Sequence, residues 1–193
     1  MNPFPALVLV DASTQTLSVW KDGEKVFGCA VSTGKNGMGC VDGSGCTPVG
    51  WHRISEVIGH GQPLGARFSS REPTGEVWTS GPVEGDWITT RILWLDGLEA
   101  GLNKGPGVDS HERYIYIHGT AREDELGHPG SHGCVRTSNL DARILADQFL
   151  SAGDLVWIGP SQQEEPPPRT VRPEEAEGRL EGRTANPAPE ITP

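Results

Sequence analysis

Ser131-His132-Gly133-Cys134-Val135-Arg136, with Ile117-His118-Gly119-Thr120 upstream of it, is the stretch from which the rest of the chain can be read. Cysteine and histidine together are what nucleophilic acyl transfer requires: a neutral imidazole accepts the thiol proton, and the thiolate attacks a carbonyl. Gly133 removes a side chain where a second molecule would approach, and its freedom lets successive N–H groups turn towards a developing oxyanion. A lone cysteine is more often a small buried hydrophobe. That reading is weaker here, because His, Gly, Cys and Arg stand together and His118 closes the apolar-aromatic run Tyr114-Ile115-Tyr116-Ile117.

Outward from this stretch, most of the chain reads as short strands broken by Gly and Pro. Residues 7–10 and 17–20 flank a polar turn, and Asp22-Gly23 is a tight-turn signal before 25–32. Further strands are expected at 50–57, 76–79, 89–95, 113–118 and 155–158, with long loops at 59–74 and 97–110. One helix follows Cys134. Ser138 or Asn139 caps it, Asp141 favours its positive end, Leu140, Ile144, Leu145 and Phe149 form its apolar stripe, and Gly153 stops it. The expected fold is mainly β, a sandwich or barrel-like domain with one main helix after the cysteine.

Composition sets the outer bounds. The 193 residues suit one domain, expected over 1–159. Residues 160–193 hold eight of the 16 prolines, seven acidic and four basic residues and almost no large apolar side chain, so a disordered tail is expected there. The tail accounts for −3 of the net charge of −10, and the acidic remainder argues against nucleic acid or an anionic membrane as partner. No apolar run approaches the length of a membrane span. Met1-Asn2-Pro3-Phe4-Pro5 has no basic stretch and 6–10 is too short for the core of a leader, so the expected location is cytoplasmic, or periplasmic if a leader has been removed. Cys40 and Cys46 flank a flexible loop and would pair in an oxidising compartment but stay free in a reducing one. A zinc site from Cys40, Cys46 and His52 matches no common ligand spacing, so no metal or other cofactor is expected. Cys29 reads as buried in a strand.

The two quoted blocks, with the twelve residues 119–130 between His118 and Ser131, resemble the signature of the L,D-transpeptidase catalytic domain, the YkuD family. Leu7-Val8-Leu9-Val10 with Leu17-Ser18-Val19-Trp20 resembles the family's opening hairpin, and Val31-Ser32-Thr33-Gly34 with Thr47-Pro48-Val49-Gly50 its middle landmarks, so that the resemblance covers roughly 5–159. It implies that Cys134 is the nucleophile and His118 its base. The acceptor for the other nitrogen of His118 stays open between Asp109, Asp124, Glu123 and the backbone carbonyl assigned this role in the family. His132 is expected to shape the oxyanion hole and touch substrate, or to brace the turn. Gly133 and Cys134 are the expected oxyanion donors, and Ser131 a turn residue and hydrogen-bond partner. Arg136 is expected to hold a substrate carboxylate, with a salt bridge to a loop acid as the alternative. His111 and His128 are placed at the rim, while His52 and His60 read as exposed or structural. Thr137 departs from the apolar residue of many relatives, with an effect expected only on helix packing.

The resemblance further implies attack on the third, diamino acid residue of a peptidoglycan tetrapeptide stem, release of D-Ala and a Cys134 thioester. Water as acceptor gives an L,D-carboxypeptidase; an amine from a second stem gives a 3,3 cross-link. Finding neither a leader nor a wall-binding segment, the sequence favours water and soluble muropeptides in cell-wall recycling, with an exported cross-linking enzyme as the alternative. Covalent inhibition by carbapenems is expected. A wall-peptide binding module has no need of a nucleophile, and a zinc hydrolase lacks the ligand pattern, so both rank lower.

Overall fold

In the computed structural model, which describes residues 5–160, the first strand β1 (Leu7–Asp11) alternates half-buried and buried residues. Val8 and Val10 therefore point into a core while their neighbours face outward. The antiparallel strand β2 (Thr16–Lys21) sets Val19 beside Val8 and Leu17 beside Val10. On the other flank, the last strand β10 (Leu155–Gly159) runs parallel to β1 and adds Val156 and Ile158 in the same register. The remaining strands are β3 (Glu24–Ala30), β4 (Gly50–Ile58), β5 (Ala66–Ser69), β6 (Glu72–Val77), β7 (Ile88–Gly97), β8 (Tyr116–Thr120) and β9 (Val135–Thr137). All ten belong to one mixed sheet in the order β3-β2-β1-β10-β4-β7-β5-β6, with β8 on β7 and β9 on β8. The sheet curls without closing into a barrel.

β7 is the branch point, since it pairs with β4, β5 and β8, and it is buried along most of its length. Curling brings Leu93, Leu95, Ile117 and Val135 from one arm against Val8, Val10, Leu17, Ile54 and Ile158 from the other, in one main core. A smaller cluster of Ala66, Phe68, Ile92 and Tyr116 lies apart from it, and Trp94 and Cys134 pack against it. The mainly β expectation holds, and one helix does follow the cysteine.

Several local expectations are corrected. Residues 59–74 are not one loop: they contain β5 and the start of β6, joined by Ser70 and Arg71 at φ of 49° and 69°. Two consecutive left-handed residues are what a two-residue hairpin of matching twist needs, but neither is the Gly or Asn that signals it. The strand expected at 76–79 is thus β6, displaced towards Glu72. The strand expected at 113–118 starts at Tyr116, because Tyr114 takes φ 56° and Ile115 donates to Ser110 instead of a strand partner. β9 is only three residues long and gave no pattern. Helix α1 (Asn139–Ile144) is capped by Ser138, whose Oγ accepts from the Asp141 N–H at 3.0 Å, and it widens over 145–149 until Leu150 N–H reaches Leu145 O. Its buried face is Asn139, Ala142, Leu145 and Ala146; Leu140 is exposed, against the expected stripe. The expectation of a disordered tail concerns residues 160–193, of which 161–193 lie outside the described residues. No helix among the described residues is long and apolar enough to cross a membrane.

Candidate active site

Register builds the site. β8 and β9 run parallel with Ile117 beside Val135 and His118 beside Arg136. Because side chains alternate along a strand, Ile117 and Val135 go down into the main core, while Tyr116 and His118 on β8, Arg136 on β9 and Cys134 just before it share the opposite face. β7 adds Trp94 beside Tyr116 and Ile92 beside His118 on that face. The hairpin β5–β6 contributes Ala66 and Phe68 to its small apolar cluster.

His118 is buried, and its Nδ1 lies 2.8 Å from the carbonyl of Gly119. A carbonyl only accepts, so Nδ1 carries the proton and Nε2 of the neutral ring is the basic nitrogen. Burial lowers the imidazole pKa below its usual value, against opposing pulls from the Gly119 carbonyl and Asp86. The acceptor is thus a backbone carbonyl. Of the carboxylates considered from sequence, Asp109 is held by Lys104 and the N–H groups of Gly105, His111 and Glu112, Glu123 by Asn139, and Asp124 is exposed. Thr137 does more than pack against the helix, for its hydroxyl lies between two carbonyl acceptors, that of His118 at 3.3 Å and that of Ser138 at 3.2 Å. Asn139 ties the end of β7 to β8 by accepting from Thr89 and donating to the Thr120 carbonyl at 2.8 Å.

Cys134 is half-buried, with its sulfur 3.5 Å from the Tyr114 carbonyl. Burial pushes the thiol up to about 11, and a backbone hydrogen bond from Tyr116 and the charges of Arg136 and Arg113 offset only part of that. Burial therefore disfavours the charged form of both thiol and imidazole. The turn before Cys134 is fixed by Ser131, fully buried, whose Oγ donates to the Cys134 carbonyl at 2.6 Å and accepts from the Gly133 N–H at 3.1 Å. This commits the Gly133 N–H and corrects the expectation that it faces an oxyanion. Gly133 takes φ 128°, a conformation L side chains rarely adopt, and Thr47 donates to its carbonyl at 2.8 Å. The middle landmarks thus converge here, with Gly34 bridged to Ser131 and Ser32 to Arg136.

Arg136 is also corrected. Its side chain is 1% exposed, with Nη2 2.6 Å from Asp86 and Nη1 2.6 Å from Glu125. It fills the salt-bridge alternative and does not face a ligand. Asp86, in the segment before β7, was not singled out from sequence, where nothing but an isolated acid in a Gly-rich stretch marked it. Burial would raise its pKa, but the Arg136 hydrogen bond and charge hold the carboxyl below its usual range. The same carboxylate lies 3.2 Å from Nδ1 of His132, whose side chain is 65% exposed at the mouth of the site. His132 is thus braced, and its other nitrogen faces outward.

The other candidates fall outside this cluster. His52 is buried between Gly50 O and Ser110 Oγ, each at 3.0 Å, and belongs to no zinc site. Burial lowers its pKa to about 4. His60 contacts Asp147 at 3.0 Å, His111 stacks on Trp94 with ring centres 3.9 Å apart, and His128 is exposed. All four cysteines are free thiols, Cys29 being half-buried in β3. Among the described residues no group of three or more His, Cys, Asp or Glu is placed to hold a metal.

A sequence model of the L,D-transpeptidase catalytic domain matches residues 5–158. The curated proteins hold no match. Among solved structures, an L,D-transpeptidase from Mycobacterium smegmatis is 19% identical, with 80% of this chain and 58% of that one covered and a TM-score of 0.50. One from Xylanimonas cellulosilytica is 21% identical over 80% of this chain and 60% of that one, TM-score 0.52. One from Mycobacterium tuberculosis is 17% identical over 80% and 57%, TM-score 0.50. At such identities the likeness is one of fold, and this chain spans less than two thirds of each of those structures.

Proposed function

The chain belongs to the L,D-transpeptidase catalytic-domain family, and from that premise we propose that it transfers acyl groups of peptidoglycan tetrapeptide stems through a thioester on Cys134. In this reading the Cys134 proton passes to Nε2 of His118 as the sulfur attacks the carbonyl of the third, diamino acid residue. The oxyanion is met by the Cys134 N–H. Collapse breaks the C–N bond, His118 returns the proton to the departing D-Ala amine, and the thioester is left. What carries the reading is that a half-buried thiol just before β9 and an imidazole on β8, with its tautomer fixed by Gly119, fall on the same face of neighbouring strands.

Water is the acceptor we favour, giving an L,D-carboxypeptidase that trims soluble muropeptides in the cytoplasm. In its support, water needs only His118 to take its proton, whereas an incoming ammonium needs an anionic seat, and both carboxylates of the Arg136 cluster are already paired. The alternative is aminolysis by a second stem, forming 3,3 cross-links outside the membrane. Purified protein with a diaminopimelate tetrapeptide decides between them: tripeptide with free D-Ala is expected, and dimer without tripeptide would overturn the choice of water. Cys134→Ala is expected to abolish both products. A carbapenem adduct on Cys134, seen by intact mass, is expected as well; failure to label would turn the reading towards a binding module.

A further inference from the structure

One cation beside the small apolar cluster has a position that the reaction above does not explain. Arg71 sits at the tip of the β5–β6 hairpin, where the paired positive φ values of Ser70 and Arg71 fold the turn tightly. Its guanidinium carbon lies 4.5 Å from the ring centre of Trp94 and 5.2 Å from that of Tyr114. Nη1 donates to the Tyr116 hydroxyl at 3.3 Å. These are the aromatic residues around the nucleophile: the Cys134 thiol is 3.5 Å from the Tyr114 carbonyl, and Trp94, Tyr116 and Cys134 share the small apolar cluster. The guanidinium thus packs on aromatic side chains of the same cluster that the thiol packs against.

The partners of neighbouring arginines sharpen the contrast. Arg136 is buried between two carboxylates, and Arg113 is spent on the carbonyls of Gly39, Cys40 and Cys46. Arg71 makes no ion pair among the described residues; Glu56 acts on it only as a more distant charge. A guanidinium held over aromatic faces keeps its charge and is pre-oriented at little entropic cost, with donors left for a planar bidentate anion.

We propose that Arg71 binds a carboxylate of the donor stem peptide while its scissile carbonyl lies at Cys134. The substrate class rests on the function proposed above; the placement of an anion site beside the thiol does not. Of the three carboxylates of a diaminopimelate tetrapeptide, we assign this role to the two that flank the scissile bond, the terminal one on the leaving D-Ala or the one on the side chain of the third residue.

The test compares the 193-residue chain with its Arg71→Gln and Arg71→Lys variants on three peptides: the tetrapeptide acid, its C-terminal amide, and a peptide with lysine at the third position. Arg71→Gln is expected to lower kcat/KM on the acid by roughly 10–100-fold, mostly through KM. The loss should shrink sharply on whichever peptide lacks the recognised carboxylate, which identifies it, and Arg71→Lys should recover part of the loss. An equal loss on all three peptides, or none, overturns the proposal and leaves Arg71 a brace of the hairpin. If the wild-type protein turns over no stem peptide, the functional reading fails separately, and alkylation decides for Arg71. The rate ratio of iodoacetate to iodoacetamide at Cys134, mapped by peptide mass, should fall by about fivefold in Arg71→Gln, as expected for loss of one nearby charge. An unchanged ratio would remove the anion site.

Discussion

Burial disfavours the charged form of both Cys134 and His118. Two consequences have opposite signs on the pH axis. With the thiol pushed up to about 11, iodoacetamide labelling of Cys134 in the free protein should keep rising beyond pH 9; a plateau below pH 7 would instead reveal a resting ion pair. With the imidazole pKa lowered, the neutral base persists on acidification, so the acid limb of kcat/KM should fall below the usual 6.5 of histidine. Asp86 offers a second test. Asp86→Asn leaves the buried Arg136 with Glu125 alone and should cost about 3 kcal/mol in urea unfolding. Since its folded pKa is depressed from 3.8, the contribution of Asp86 is in place above that value and disappears as pH falls through the folded pKa. Cys134 and His118 were legible as chemistry-bearing residue types, and Ser131 as a turn residue. Asp86 was not, because an acid becomes a partner only when folding places a cation beside it, and Arg136 was misjudged for the same reason.

Among the elements, β8 does most of the positioning, since it is paired on both edges and buried at every residue. Its fit to β7 depends on Gly119, where a Cβ would come 2.8 Å from the Thr89 carbonyl and 3.0 Å from Asn139 Oδ1. Both are held in place, so Gly119→Ala should push β8 away from β7, costing about 1–3 kcal/mol in a denaturant titration and lowering turnover further by shifting His118. Unchanged stability and turnover would show that β7 yields without consequence. The strands around the main core were visible as alternating apolar runs. The β5–β6 hairpin was not: β6 is exposed along its length, so no face of it is selected to be apolar, and its turn uses Ser70 and Arg71 where Gly and Asn would have signalled it. The start of β8 was likewise hidden, for Tyr114 leaves the strand conformation within an unbroken apolar run.

For the whole molecule, the two ends of the described chain are joined through β1 and β10, and that pair links β2 and β3 to the rest of the sheet. Removing residues 1–11 would strip Val8 and Val10 from the core and leave β2 and β10 with unpaired edges. The truncated protein should show no cooperative thermal transition by circular dichroism, and retention of a sharp melt would mean that β2 can take over the edge of β10. The sequence by itself determined the mainly β character, the family, and Cys134 and His118 as the candidate pair, because strand alternation and the residue types of a nucleophile and its base are local properties written in order along the chain. Tertiary structure decided the rest: that Gly119 holds the histidine tautomer, that Ser131 takes the Gly133 N–H, that Arg136 is spent on Asp86 and Glu125, and that Arg71 reaches the small apolar cluster. Each of these depends on a distance between segments far apart in the chain, or on burial that sets which charge is compensated, and neither is encoded in a run of neighbouring residues.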